Sequence, residues 1–132
     1  MSPKAGIKVK PIVPGYCKGE VLLLNRFISF FGEVDPETSC LRENMEICVA
    51  SKVLVFKGSR GSTVGPYIIY ALKKNNKHPV CMIVEEAEPL LIAGCVLGEI
   101  PLYVVESINA LESGKIIEVK VEGNEYYIYA PD

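Results

Sequence analysis

The chain has no tryptophan, a single histidine and no Cys-x-x-Cys pair among its five cysteines. Because structural zinc and redox sites usually need closely spaced cysteines and histidines, the sequence predicts that this chain ligates no metal. The single histidine, His78, stands before Pro79 in a stretch rich in lysine and asparagine, which is typical of a loop. An odd number of widely spaced cysteines indicates free, mostly buried thiols in a reducing compartment.

An excess of charge of one sign and long apolar runs are also lacking. The formal net charge is −2, and the basic residues are scattered without interleaved aromatics, which argues against a nucleic-acid partner. The longest weakly charged stretch, 89–98, is too short to cross a bilayer, and the N-terminal residues lack the apolar segment of a signal peptide. These features predict a cytoplasmic protein with no membrane partner.

Length and apolar content favour one domain with a covered surface. The 132 residues suit a single domain over residues 1–132 with a substantial core. Hydrophobic residues make up 49% of the chain and charged residues only 23%. This composition is rich for an isolated domain and indicates that a partner covers part of the apolar surface.

The order of apolar patterns predicts a β-rich fold of the α+β or α/β class. Residues 53–56 and 80–84 are continuous apolar runs typical of buried strands, and residues 64–75 place their apolar side chains on one helical face. A strand, a helix and a strand in this order predict a βαβ unit with parallel strands. The other predicted elements are strands at 7–13, 20–24, 101–105, 115–121 and 126–129, a hairpin turn at 122–125 and a short helix at 89–98.

A glycine-spaced polar loop follows the first of these buried strands, with the sequence KGSRGST at residues 57–63. Its glycines let a ligand approach the main chain, and the free N–H groups of the following helix attract negative charge. A Walker phosphate loop is excluded, because Arg60 and not lysine adjoins the second glycine. Ser62, Thr63 and Arg60 are therefore candidate site residues. In the alternative interpretation, Ser62 or Thr63 only caps the helix.

Two acidic segments have structural interpretations. The run at 85–88 is expected to be a solvated connection, because no further metal-ligating residue follows at a suitable spacing. Asp35 precedes Pro36 in a predicted turn, so its carboxylate is either a turn-forming group or a second candidate for the site.

Three segments occur together in an order that points to a family: SFFGEVDP at 29–36, VLVF with GSRGST within 53–63, and LIAG before Ile-Pro within 91–101. They resemble the aconitase X swivel family, the small subunits of phosphomevalonate dehydratases. The resemblance implies a swivelling β/β/α domain and a heterodimer with a large aconitase-like subunit that holds a [4Fe–4S] cluster. It also implies dehydration of 5-phosphomevalonate to an anhydromevalonate phosphate in a modified mevalonate (isoprenoid) pathway.

The same resemblance assigns roles to the loop residues. It matches the family's catalytic serine, a proton acceptor, to Ser62, with Arg60, Gly61 and Thr63 as its substrate-binding neighbours. A serine oxygen is a useful base only where N–H donors and a cation stabilise its negative charge, which a helix start and an arginine can supply. The family pattern has a glycine where Glu33 stands in this sequence.

Other functions stay open at this level. A phosphohistidine-type carrier domain would need its histidine near the loop, whereas His78 lies in a separate polar segment. A non-catalytic structural or regulatory partner of an aconitase-like protein would use Ser62 as a helix cap. A dehydratase of another hydroxy acid is the third alternative.

Overall fold

The computed structural model describes residues 6–131, in which strands outnumber helices. The strands are β1 (Ile7–Val13), β2 (Cys17–Ile28), β3 (Cys40–Leu41), β4 (Asn44–Cys48), β5 (Val53–Ser59), β6 (Cys81–Val84), β7 (Leu102–Val104), β8 (Ile116–Glu122) and β9 (Glu125–Tyr129). The helices are α1 (Phe30–Glu33), α2 (Gly65–Lys74) and α3 (Pro89–Gly98), with a 3₁₀ turn at Ile108–Ala110. The predicted single domain over 1–132 includes residues 1–5 and 132, which lie outside the described residues.

Seven strands close into a barrel in the order β1, β7, β6, β5, β2, β8, β9, and β9 pairs with β1. The neighbours β2, β5, β6 and β7 are parallel, whereas the other barrel pairs are antiparallel. β3 and β4 form a separate hairpin. Parallel strands must be covered on both faces, which explains why β5 and β6 begin as uninterrupted apolar runs.

Alternation along β5 divides its side chains between two apolar clusters. Val53 and Val55 belong to the cluster inside the barrel, whereas Leu54 and Phe56 pack in a second cluster with residues of α2 and α3. This two-residue period follows from the strand geometry. The second cluster fixes both helices against the parallel strands, and so determines where α2 begins.

The structure contains the predicted strand, helix and strand as β5, α2 and β6, with β5 and β6 parallel. Helix α3 coincides with the predicted range 89–98. β5 runs to Ser59, beyond the predicted end, because Gly58 and Ser59 continue to pair with Phe27 and Ile28 of β2. The β-rich class predicted from the sequence is therefore the observed one.

The expectation of free thiols is wrong for four of the five cysteines. Cys17 and Cys81 form one disulfide, with Cα atoms 5.9 Å apart, and Cys40 and Cys48 form another. Cys95 is a free, buried thiol. Cys17 and Cys81 are 64 residues apart in sequence but both face the inside of the barrel, so their pairing depends on topology and not on spacing.

None of the helices in residues 6–131 has the length and apolar character needed to span a membrane.

Candidate active site

The glycine-spaced loop connects the end of β5 to the start of α2, and residues 60–64 are exposed. The backbone N–H of Arg60 donates to the carbonyl of Ile28 at 3.1 Å, and the N–H of Gly65 donates to the carbonyl of Ser62 at 3.1 Å. Ser62 Oγ accepts a hydrogen bond from the N–H of Val64 at 3.1 Å. The capping alternative is therefore wrong in detail, because Val64 occupies the N-cap position of α2 and Ser62 forms a turn before it.

Gly61 allows the loop to pass close to the 29–36 segment. Its φ of +99° lies in a region that favours glycine, and a β-carbon there would lie 2.8 Å from Ser29 Oγ. A side chain at this position would thus meet both a conformational and a steric penalty. The close approach brings the start of the SFFGEVDP segment beside the Ser62 loop.

A small open pocket adjoins this loop. Its lining combines polar residues of the loop with apolar residues of the three helices. The lining residues are Phe30, Ser59, Arg60, Gly61, Ser62, Gly65, Pro66, Ile69, Glu88, Leu90 and Leu91. Three of the four predicted site residues, Arg60, Gly61 and Ser62, therefore share one pocket. Thr63 is exposed and is not among the lining residues.

The Arg60 side chain is held beside the pocket by an aromatic ring. Its guanidinium carbon lies 5.9 Å from the centroid of Phe27, a cation–π arrangement at the end of β2. A guanidinium group in this position can bind a carboxylate or phosphate through two parallel hydrogen bonds. The loop therefore combines a hydroxyl, a backbone N–H donor to that hydroxyl and a cation.

The predicted solvated connection at 85–88 is wrong for two of its glutamates. Glu85 accepts a hydrogen bond from the N–H of Ile108 at 2.9 Å. Glu88 is the N-cap of α3 and also accepts a hydrogen bond from Ser59 Oγ. Sequence reasoning missed Glu88, although an acceptor residue directly before a proline is a recognisable helix start.

Of the two roles that the sequence leaves open for Asp35, the structure shows the turn-forming one. Its Oδ1 accepts a hydrogen bond from the N–H of Glu37 at 2.9 Å, and the residue does not line the pocket. Glu33, at the position of the family's glycine, accepts from the N–H of Ser29 at 2.9 Å and forms an ion pair with Arg26. Arg26 also contacts Glu43 of the β3–β4 turn at 3.0 Å. These contacts support the segment that packs against Gly61.

Within residues 6–131, no group of three histidine, cysteine, aspartate or glutamate side chains is arranged to hold a metal ion. The cysteines lie in two disulfides and one isolated thiol, and burial raises the pKa of Cys95 to about 12. Because an iron–sulfur cluster needs several thiolates at one place, the described residues do not fit such a group.

Comparison with known proteins gives consistent matches along the chain. The Aconitase X swivel domain family matches residues 6–129. The phosphomevalonate dehydratase small subunit of Thermococcus kodakarensis is 40% identical over 92% of this chain and 95% of its own length. The subunit of that name from Aeropyrum pernix is 48% identical over 71% of this chain and 69% of its own length.

Two solved structures share the fold. The holo-form of Thermococcus kodakaraensis aconitase X has a chain that is 40% identical, with a TM-score of 0.84 over 94% of this chain and 98% of that chain. The solution structure of a UPF0107 protein is 33% identical, with a TM-score of 0.82 over 97% of this chain and 100% of that chain.

Proposed function

Because the chain belongs to the aconitase X swivel domain family, we propose that it is the small subunit of a hydro-lyase that dehydrates (R)-5-phosphomevalonate to trans-anhydromevalonate 5-phosphate. The observation that carries this proposal is the similarity to phosphomevalonate dehydratase small subunits, which extends over 92% of the chain in one case. The loop and pocket geometry is consistent with half of an active site. The product would enter a modified mevalonate pathway.

Ser62 is the proposed proton acceptor. In this dehydration, the deprotonated Ser62 Oγ takes the proton from the carbon beside the carboxylate, and the electrons of that C–H bond form the double bond. The hydroxyl on the next carbon leaves with its bonding electrons as hydroxide, which a proton from solvent converts to water. The N–H of Val64, which already donates to Ser62 Oγ, would stabilise negative charge on that oxygen. The exposed position of Ser62 leaves it accessible to substrate.

The neighbours of Ser62 are proposed to bind the anionic substrate. Arg60 would bind its carboxylate or phosphate, and Gly61 would let the substrate approach the main chain. Thr63 is also a proposed substrate-binding residue, although it would have to contact the substrate from a position outside the pocket lining. A non-catalytic partner subunit is the alternative function, favoured by the hydrogen bond that gives Ser62 a turn-forming role.

The remaining half of the active site is assigned to a large aconitase-like subunit. We attribute the [4Fe–4S] cluster, and with it the activation of the departing hydroxyl, to that subunit, because the cysteines described here do not fit a cluster.

A cytoplasmic location is also part of the proposal. The two disulfides contradict the expectation of free thiols, which is one of the arguments for that location.

An apolar rim beside the pocket is the proposed docking face for the large subunit. The rim consists of Phe31, Val64 and Tyr67, and it flanks the loop on α1 and at the start of α2. Phe31 is 53% exposed and Tyr67 is 67% exposed. Since both halves of the active site must meet at Ser62, the surface that surrounds it must face the partner.

The Ser62 role is tested by reconstitution with the large subunit under anaerobic conditions and assay with 5-phosphomevalonate. Ser62→Ala should lower kcat roughly a thousandfold with little change in KM, because general-base removal affects the chemical step. Ser107→Ala is the matched control, since Ser107 Oγ also accepts a hydrogen bond from an N–H two residues ahead but lies outside the pocket. A near-normal kcat for Ser62→Ala would favour the non-catalytic alternative.

The docking face is tested by size-exclusion chromatography of the two mixed subunits. Tyr67→Glu should abolish the complex, because it places a charge in a desolvated apolar contact. Val121→Glu is the control, since Val121 is 56% exposed on β8 and is not part of the rim. Loss of the complex in both variants, or in neither, would contradict the assignment of this face.

A further inference from the structure

Glu88 connects two elements that border the candidate pocket. Its Oε1 accepts hydrogen bonds from Ser59 Oγ and from the N–H of Leu91, the latter at 2.9 Å, and its Oε2 accepts from the N–H of Leu90 at 3.1 Å. Ser59 is the last residue of β5, and the two leucines lie in the first turn of α3. One carboxylate therefore joins the strand that leads into the Ser62 loop to a helix of the pocket wall.

The loop beyond Ser59 has few other attachments to the fold. The N–H of Arg60 donates to the carbonyl of Ile28, and the bonds of Ser62 go to Val64 and Gly65 within the same segment. Gly61 adds backbone freedom between these points. A hydrogen bond to a charged acceptor is stronger than one between neutral groups, so the bond from Ser59 to Glu88 adds a strong side-chain restraint to the backbone pairing of Ser59 with Ile28.

We propose that Glu88 is a positioning residue for Ser62 and that it acts through the Ser59 hydroxyl. Its carboxylate already satisfies three donors, which suits a fixed structural acceptor at the base of the pocket. By holding the end of β5 against α3, it sets the position from which the loop starts. The contribution to turnover rests on the proposed function, whereas the contribution to loop order does not.

The loop restraint is tested by amide hydrogen exchange of the full chain at Arg60, Val64 and Gly65, whose N–H groups donate hydrogen bonds at the two ends of the loop. Ser59→Ala should accelerate exchange there by about tenfold, and Ser59→Thr, which keeps a hydroxyl, should restore the original rates. Ser59→Ala should have no further effect in a Glu88→Ala background, because the bond is already absent. Unchanged exchange in Ser59→Ala, or additive effects in the double variant, would overturn the proposal.

The effect on turnover is measured with the reconstituted complex. Ser59→Ala should lower kcat about tenfold with a smaller change in KM, Ser59→Thr should recover it, and Ser107→Ala should leave it unchanged. A wild-type kcat in Ser59→Ala would refute the link to catalysis. If Ser62→Ala stays active while Ser59→Ala still speeds exchange, the proposed catalytic role of Ser62 has failed and the loop restraint has not.

Discussion

At the scale of single residues, His78 has an environment that links its protonation to folding. It lies in the loop between α2 and β6, as predicted, and its Nδ1 is buried with no hydrogen-bond partner among the described residues. Burial, and secondarily the charge of Lys73, lower the pKa of His78 below its ordinary value. The folded chain therefore binds a proton at this site less readily than the unfolded chain does.

The sign of that shift predicts a loss of stability in mild acid. As the pH falls below the ordinary histidine pKa of about 6.5, the unfolded state gains a proton that the folded state resists, so the unfolding temperature should fall. His78→Gln should reduce this loss between about pH 7.5 and about pH 5.5. Thermal unfolding of the wild-type protein and of His78→Gln across this pH range measures the loss of stability. Equal losses in the two proteins would show that His78 is not responsible.

The sequence predicts some residues of the candidate pocket and misses others for a physical reason. Arg60, Gly61 and Ser62 are close in sequence, and a glycine-spaced polar loop is a local pattern. Ser59 and Glu88 meet across 29 positions, and no local pattern predicts that contact. The function of a side chain is thus easiest to predict where its neighbours in space are also its neighbours in the chain.

At the scale of elements, the packing of α2 against α3 depends on Gly94. A β-carbon at Gly94 would lie 2.6 Å from Ile69 Cδ1 and 3.2 Å from the Cα of Pro66. The side chain of Ile69 can move, but the backbone of Pro66 can move only if α2 shifts. The absence of a side chain at Gly94 therefore sets how closely the two helices approach.

Gly94→Ala should lower the free energy of unfolding by roughly 1–3 kcal/mol, because the added methyl group overfills this contact. Gly65→Ala is the matched control, since a β-carbon at Gly65 meets nothing within 4 Å. Chemical denaturation of the two variants gives the comparison. Equal stabilities would contradict the close packing inferred at Gly94.

The ends of elements are predicted well where the chain itself marks them. Helix α3 begins at Pro89, whose fixed φ suits a first helical turn, whereas at its other end the left-handed residue is Glu99 and not the preceding Gly98. The sequence places the end of β5 too early, because pairing with β2 extends the strand through Gly58, a residue that is unfavourable in strands. A glycine at that position instead allows close approach, since a β-carbon would lie 2.8 Å from the carbonyl oxygen of Glu86.

At the scale of the whole molecule, two disulfides restrain distant parts of the chain. The Cys17–Cys81 bond spans 64 positions and the Cys40–Cys48 bond spans 8. On a chain-entropy argument, closing loops of these lengths stabilises the fold by about 4 and about 2.5 kcal/mol. The first bond joins two strands inside the barrel, and the second fixes the hairpin beside the 29–36 segment.

Thiol titration tests this pairing directly. In denaturant without reductant, one thiol should react, that of Cys95, and five should react after reduction. Reductant should also lower the unfolding temperature of the native protein, with the partly exposed Cys40–Cys48 bond opening before the buried Cys17–Cys81 bond. Five reactive thiols before reduction would show that all five cysteines are free, as the sequence predicts, and would contradict the two disulfides.

The closure of the barrel has a consequence for how this chain meets other proteins. β1 pairs with β9 through residues 7–9 and with β7 through residues 10–13, and β2 pairs with β8 through residues 17–20 and with β5 through residues 21–28. Each half of these two strands is therefore paired on one side only. The other five barrel strands have a partner on each side, so a further strand could be added only at the unpaired halves of β1 and β2 or at the β3–β4 hairpin. Edge-to-edge association of this chain is therefore confined to these short segments, and over most of the barrel a partner can recognise only side chains.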